Sequence, residues 1–306
     1  MREGNTTIYT FGDIERATYS APSRMKLFED ISFKSMFFQR LDGLLPSEKS
    51  VLSLDIFDTL LLRDNSSELT RFVEIGAAMA AIMSAGASEK RKLPPAPKKR
   101  VSKKDIDAFL ARQLGTKATY RARDRHRGYG EGSLTEIHTV SSRLLSGNDD
   151  YREKFISAEL QYETTRVEPN GLLLEYIDKH ISRGGQVILV TDMYMHAKQV
   201  EELLALVNID PKKFHAIFSS ADTLISKACG LLFPEIEKRL GLHGPNFLHV
   251  GDSAKGDFRQ PISHGWRALH LPVSEIEIKA RKTDHLATAM MLRKYFDIEV
   301  DIAMPK

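Results

Sequence analysis

Val51-Leu52-Ser53-Leu54-Asp55-Ile56-Phe57-Asp58-Thr59-Leu60-Leu61-Leu62-Arg63 decides the fold class. A short, almost wholly apolar run ends on an aspartate. Strands covered on both faces show continuous apolar character, not alternation. Four later runs read the same way: 187–190, 216–219, 247–250 and 268–271. Helical patterns lie between them. Asn170 can cap a helix through Leu172, Leu173, Leu174, Tyr176 and Ile177, and Gly184 and Gly185 can end it. Further helices are predicted over 196–207 and 230–240. Strand and helix in alternation predict an α/β fold, a parallel sheet with helices on both faces.

The rhythm breaks once, where about 120 residues separate the first strand from the second. Most of that stretch is predicted helix: 69–83, 104–113, 134–145 and 150–165. A helical insertion follows, with 48–65 and 168–280 as core and 66–167 as insert. Within it 88–104 is rich in Pro, Lys and Arg and reads as a loop. Residues 1–47 form an N-terminal arm. A helix is predicted over 24–41, with Met25, Phe28, Ile31, Met36, Phe37 and Leu41 on one face. Residues 281–306 are predicted as a terminal helix and tail packed with that arm.

Composition narrows the class. Of 306 residues 42% are hydrophobic, too many for a disordered chain. The single cysteine, Cys229, excludes an internal disulfide framework and a cysteine-built zinc site. No apolar run is long enough for a membrane span. The first thirty residues hold no signal-peptide core, so a cytoplasmic location is expected. The net charge of +3 names no partner, but from Lys90 to Arg127 14 basic residues face 3 aspartates. The ordinary reading is a solvated basic loop and helix face. The alternative is a positive surface for an anionic substrate, a membrane surface or RNA; few aromatics are interleaved, so nucleic acid is not favoured.

In such sheets ligands bind beyond the carboxyl ends of the strands. Past the first run stands Asp55; past the second, Thr191 and Asp192; after the third and a loop, Lys227; past the fourth, Gly251, Asp252 and then Asp257. Three carboxylates, a hydroxyl and an ammonium would meet on one edge. Asp55 could act as a covalent nucleophile. Asp252 and Asp257 offer the hard oxygen ligands that Mg²⁺ takes. Thr191 and Lys227 could hold phosphoryl oxygens. Asp192 reads as the cap of the next helix, and Cys229 as a packed small residue.

The four elements together resemble the motifs of the haloacid dehalogenase superfamily of hydrolases. LSLDIFDTLLLR is similar to its first motif, with Asp55 as nucleophile, and VILVTDMY to its second, with Thr191. SKACGLLF is similar to the third, with Lys227, and HVGDSAKGD to the fourth, with Asp252 and Asp257. The wording is closest to a poorly characterised group of predicted hydrolases of that superfamily. The resemblance implies a Rossmann-like core with a helical cap inserted after the first strand. It also implies Mg²⁺ held by Asp55, the Phe57 backbone carbonyl, Asp252 and Asp257, and a small phosphorylated substrate. Asp58, Thr59, Arg63 and Ser253 are candidate substrate contacts; Arg63 could equally serve the cap hinge or a surface ion pair.

One position departs from the pattern. Phosphatases of this superfamily usually carry a second aspartate, the general acid–base, two residues after the nucleophile; here Phe57 stands there. Asp58, Glu159, Glu163, His126 or His138 could substitute. Alternatively the leaving group needs no acid, as with an acyl phosphate, or the site is a relic on a binding or interaction scaffold. An aromatic at this position also suits a metal-independent 2-haloacid dehalogenase, in which Asp55 displaces halide from carbon. The acidic fourth motif places phosphoryl chemistry ahead of that reading.

Overall fold

The computed structural model describes residues 12–45, 47, 50–85 and 101–305. Seven strands form among them: β1 (Val51–Leu54), β2 (Leu61–Arg63), β3 (Val167–Pro169), β4 (Gln186–Thr191), β5 (Ala216–Ser219), β6 (Phe247–Gly251) and β7 (Arg267–His270). Five make one sheet in the order β5-β4-β1-β6-β7, every pair parallel. The expected sheet is therefore present, and β1, which ends at the candidate nucleophile, is its central strand.

Side chains of period two divide the sheet between two cores. Leu52, Leu54, Val187, Leu189, Leu248 and Val250 face one cluster. It is completed by the helices Ile31–Leu44, Gly171–Ser182 and Ala197–Leu206. Val51, Ile188, Val190, Phe218 and Phe247 face the other, closed by the helix Leu232–Leu240 and Trp266. With both faces covered, the strands are apolar without alternation.

The insertion is helical, as its pattern predicts: Glu68–Ala85, Lys103–Ala122, Leu134–Ser146 and Arg152–Thr164. It has its own core of Leu69, Phe72, Ile75, Met79, Phe109 and Phe155. The helices Glu68–Ala85 and Lys103–Ala122 approach so closely that a Cβ on Gly76 would lie 2.6 Å from the Phe109 nitrogen. β2 and β3 pair antiparallel where the chain leaves and re-enters the sheet domain. Three residues each are too short for a periodicity signal, so this strand pairing is not legible in the sequence.

Two expectations change. The helix over 24–41 is two helices, Arg24–Glu29 and Ile31–Leu44, because Asp30 turns the chain extended and caps the second through Phe33 N–H at 2.8 Å. The terminal helix, Glu275–Phe296, begins earlier than expected, capped by Ser274. It packs on the arm as anticipated, through Arg24 Nε to Glu277 Oε2 at 2.6 Å. It also lends Leu292 to the insert's core. Of the basic 88–104 loop, residues up to 100 lie outside the described residues.

Candidate active site

The amide of Asp55 donates to the Val250 carbonyl at 2.9 Å, extending the β1–β6 ladder by one residue and setting Asp55 beside Gly251 and Asp252. Lys227, 3% exposed, reaches the same place from the loop after β5. Its Nζ lies 2.5 Å from Asp55 Oδ1 and 2.6 Å from Asp257 Oδ1. Asp257 sits on the π-helix Ala254–Arg259, which Ser253 caps by accepting the Gly256 N–H at 3.0 Å. The Ser253 amide in turn donates to Asp257 Oδ2 at 2.9 Å.

His249 and Ser53, adjacent across β1 and β6, extend this network beneath the site. His249 Nε2 is 3.0 Å from Asp257 Oδ1, and its Nδ1 is 2.7 Å from Ser53 Oγ. Burial lowers the imidazole pKa against the pull of Asp257, so the ring is neutral. The network then assigns the proton to Nε2, facing the carboxylate, while Nδ1 accepts from the Ser53 hydroxyl. Neither residue was a candidate in the sequence. The available signal was a polar pair at matching positions of two buried strands.

Carboxylate oxygens of Asp55, Asp252 and Asp257 lie within 4.8 Å of one another, a set that can hold a metal ion. Burial raises the Asp55 pKa to about 7; Lys227 opposes this and Asp257 adds to it. Asp252 is pushed well above the usual range by burial and by the charges of Asp55, Asp58 and Asp257. Burial would raise Asp257 too, but Lys227 and His249 outweigh it and hold that carboxyl low. One buried ammonium thus balances three acids. A divalent cation on hard carboxylate oxygens fits the remaining charge.

Gly251 is required by this geometry. A Cβ there would stand 2.5 Å from Asp257 Oδ2. Gly251→Ala is therefore expected to displace Asp257, costing about 1–3 kcal/mol of stability and most of the site's cation affinity. Unchanged thermal unfolding and unchanged metal titration of that variant would contradict the packing argument.

No family model matches the chain, and no curated protein matches it. Solved structures do. A haloacid dehalogenase family enzyme from Bacteroides thetaiotaomicron, in complex with magnesium and inorganic phosphate, is 12% identical with a TM-score of 0.44, covering 72% of this chain and 93% of that one. The HAD-hydrolase YfnB from Bacillus subtilis, bound to magnesium, is 15% identical with a TM-score of 0.43, covering 82% and 100%. A 2-haloacid dehalogenase from Pseudomonas syringae pv. Tomato DC3000 is 16% identical with a TM-score of 0.43, covering 72% and 86%. Likeness at this level is too distant to assign chemistry, which must come from the side chains themselves.

Thr191 ends β4 beside β1 and is 1% exposed. Its oxygen accepts the Met193 N–H at 3.3 Å, so the hydroxyl keeps a hydrogen to donate. Asp192 does not cap the following helix; His196 holds that position. The Asp192 carboxylate instead accepts Lys227 N–H at 2.7 Å and Ala228 N–H at 3.0 Å, fixing the loop that delivers the lysine. Cys229 is buried, its Sγ 3.1 Å from the Ser226 carbonyl oxygen, in keeping with a packed residue.

Other candidates lie in different surroundings. Asp58, left-handed at φ 61°, has both carboxylate oxygens taken by guanidinium groups. Arg281 reaches them at 2.6 and 2.9 Å and Arg24 at 3.0 Å. Burial would raise its pKa, but Arg281 and Arg24 outweigh burial and hold it well below the usual range. Asp58 is thus an anion that ties the helices Arg24–Glu29 and Glu275–Phe296 to the loop after Asp55, and it has no proton to give as a substitute acid. Thr59 is fully buried; its carbonyl accepts from Asn170 Nδ2 at 2.9 Å. Glu159 is an anion bound by Arg112 and by His138, whose Nε2 is 2.9 Å away. Burial lowers the His138 pKa, leaving it neutral. His126 lies on an exposed insert loop. Phe57 is buried, and its ring supports Arg63, whose Cζ is 4.1 Å from the centroid.

Proposed function

We propose that this chain is a hydrolase of the haloacid dehalogenase type that removes a phosphoryl group from a small substrate through an aspartyl-phosphate on Asp55. The supporting observation is the convergence of Asp55, Asp252 and Asp257 within 4.8 Å. A cation-holding acid set is what phosphoryl chemistry needs and halide displacement from carbon does not. Asp55, Asp252 and the Phe57 carbonyl would hold Mg²⁺, with Asp257 supporting; Mg²⁺ supplies charge neutralisation between carboxylate and phosphate.

The chain's own groups divide the remaining work. The Asp55 oxygen attacks phosphorus, forming the carboxyl–phosphate bond as the bond to the leaving oxygen breaks. Thr191 and Lys227 donate to the phosphoryl oxygens and hold them while charge builds. Water then attacks the same phosphorus, inorganic phosphate departs, and the Asp55 carboxylate is restored. The insert would exclude bulk water when a substrate is bound: it already rests on the loops after Thr191 and Lys227, where Leu134 N–H donates to the Tyr194 carbonyl at 2.5 Å and Arg127 Nη1 to the Cys229 carbonyl at 3.1 Å. With phenylalanine at position 57, the best substrates are those whose leaving group departs unprotonated, such as acyl phosphates.

Two measurements test this. Mg²⁺ at 100 times its dissociation constant is expected to stabilise the fold by about 2.7 kcal/mol, read as a rise in Tm. Turnover of an acyl phosphate such as acetyl phosphate is expected to stop on chelation. Phe57 favours the second reading, a 2-haloacid dehalogenase. Chloride release from 2-chloropropionate that persists under chelation, with no Mg²⁺ effect on Tm, would establish that reading and sink the first. The RNA-binding alternative loses one of its charges, since Arg112 is fully buried against Glu159. Among the described residues no helix is long and apolar enough to cross a membrane.

A further inference from the structure

Between the insert and the sheet domain lies a cluster of guanidinium groups whose hydrogen-bonding capacity is only partly spent. Arg63 ends β2, Arg71 lies on the helix Glu68–Ala85, and Arg112 lies on Lys103–Ala122. Arg71 is 8% exposed and Arg112 fully buried. Yet Arg63 Nε, Arg71 Nε and Nη1, and Arg112 Nη1 have no hydrogen-bond partner among the described residues. The same is true of Glu163 Oε2, the acid that faces them. Its distances to Arg63 Nη2 and Arg71 Nη1 are 3.7 and 3.9 Å. Charge-assisted hydrogen bonds in proteins are about 2.7–2.9 Å long. Arg63 and Arg71 therefore face Glu163 from beyond hydrogen-bonding distance, with their unpartnered nitrogens buried.

The cluster is placed for a substrate. Arg63 lies over the ring of Phe57, two residues past Asp55, and its Nη2 is 3.9 Å from the sulfur of Met193, two residues past Thr191. Tyr194, next in sequence, accepts from Arg112 Nη2 at 3.0 Å. So the cluster adjoins both the nucleophile loop and the phosphoryl-holding loop, on the insert's side. The charge is unbalanced in the same sense. Three guanidinium groups share two buried carboxylates, Glu159 and Glu163, while Asp58 is already held by Arg24 and Arg281. Buried cations without full partners are costly and are retained where something completes them.

We infer that Arg63 and Arg71 form a second oxyanion subsite, so that the substrate carries, besides its phosphoryl group, a further carboxylate or phosphate on the leaving group. This rests on the phosphoryl-transfer reading and narrows its substrate class. The planar guanidinium fork suits either oxyanion. Phe57 then has a use of its own: it replaces an acid with an aromatic platform that aims Arg63.

Binding of non-hydrolysable phosphonates to the Mg²⁺-loaded protein tests the inference without needing turnover. Phosphonoacetate, 3-phosphonopropionate and 4-phosphonobutyrate supply the carboxylate at three spacings; methylene- and propane-diphosphonate supply the second phosphate. Alkyl phosphonates of matching length are the controls. One member of either charged series is expected to bind about 10- to 100-fold tighter than its control, the range of one or two charge-assisted hydrogen bonds. Which series wins identifies the oxyanion. In Arg71→Met that advantage is expected to vanish while affinity for methylphosphonate stays the same, and Arg71→Lys is expected to restore part of it. A merely structural Arg71 would give a lower Tm in Arg71→Met with the advantage intact, and that would overturn the inference. Equal binding of charged and control phosphonates to wild type would also overturn it, whether or not acetyl phosphate is hydrolysed. Loss of acetyl phosphate turnover alone would instead count against the phosphoryl-transfer reading. Should Arg71→Met fail to fold, Arg63→Met is read by the same comparison.

Discussion

Asp55→Asn is expected to abolish turnover, a loss of about 10⁴-fold or more in kcat, while the fold survives. An amide of the same size has no anionic oxygen to attack phosphorus. The structure does not need the charge: Lys227 keeps Asp257 at 2.6 Å, and the ladder bond from the residue-55 amide to Val250 is made by backbone. Relative to wild type, the variant is expected to gain stability as pH rises. Burial raises the Asp55 pKa to about 7. A group whose folded pKa lies above its unfolded value contributes stability below that unfolded value and loses it as pH rises through the folded one. At pH 8 the wild-type protein therefore holds an ionised Asp55 at a cost that the asparagine variant lacks. Denaturant melts of both proteins at pH 5 and pH 8, without metal, measure the difference. A rapid acid quench of wild type during turnover should also yield the peptide around Asp55 with a phosphoryl adduct, absent from the variant. Equal kcat in the two proteins would remove Asp55 from the mechanism.

How much of this was legible follows from what each residue had to do. Asp55 and Asp252 follow β1 and β6 directly and Thr191 closes β4, so a run of apolar residues ending on a polar one located them; Lys227 stands farther on, past β5 and the short helix Ser220–Thr223. Parallel strands then had to bring them to one edge. Asp257 was legible only by its spacing from Asp252, because its support comes from Ser253 and His249 across a π-helix that no periodicity announces. Asp58 was read by its nearness to Asp55. Its fate was decided by Arg24 and Arg281, separated from it by 34 and 223 positions in the chain. The same holds for the Arg63, Arg71 and Glu163 cluster, which exists only because three elements of the insert and hinge fold together. Local chemistry is written locally. Neutralisation of buried charge is a tertiary property, and here it separates residues that react from residues that brace.

Lys227→Met is expected to be the most damaging single substitution to stability, about 3–5 kcal/mol at pH 7, because it strands buried acids that the ammonium now balances. In wild type, burial would lower the lysine pKa, but Asp257, Asp55 and Asp192 outweigh it and keep the group charged. Asp257 is correspondingly held below the usual range. A carboxyl depressed in this way contributes stability above its unfolded pKa and loses it as pH falls through the folded one. Without Lys227 the sign reverses. Burial and mutual repulsion then raise the acids, whose contribution is present at low pH and is lost as pH rises through their new pKa values. The two proteins are thus expected to approach one another in stability near pH 4 and to diverge toward pH 8. Asp257→Asn added to Lys227→Met should recover part of the loss, since it removes one stranded charge; the double-mutant cycle measures that coupling. Mg²⁺ should raise the Tm of Lys227→Met more than that of wild type, because the cation takes over the balancing that the ammonium performed. A variant as stable as wild type at pH 7, with the same pH slope and the same response to Mg²⁺, would mean that the three acids are not electrostatically one site.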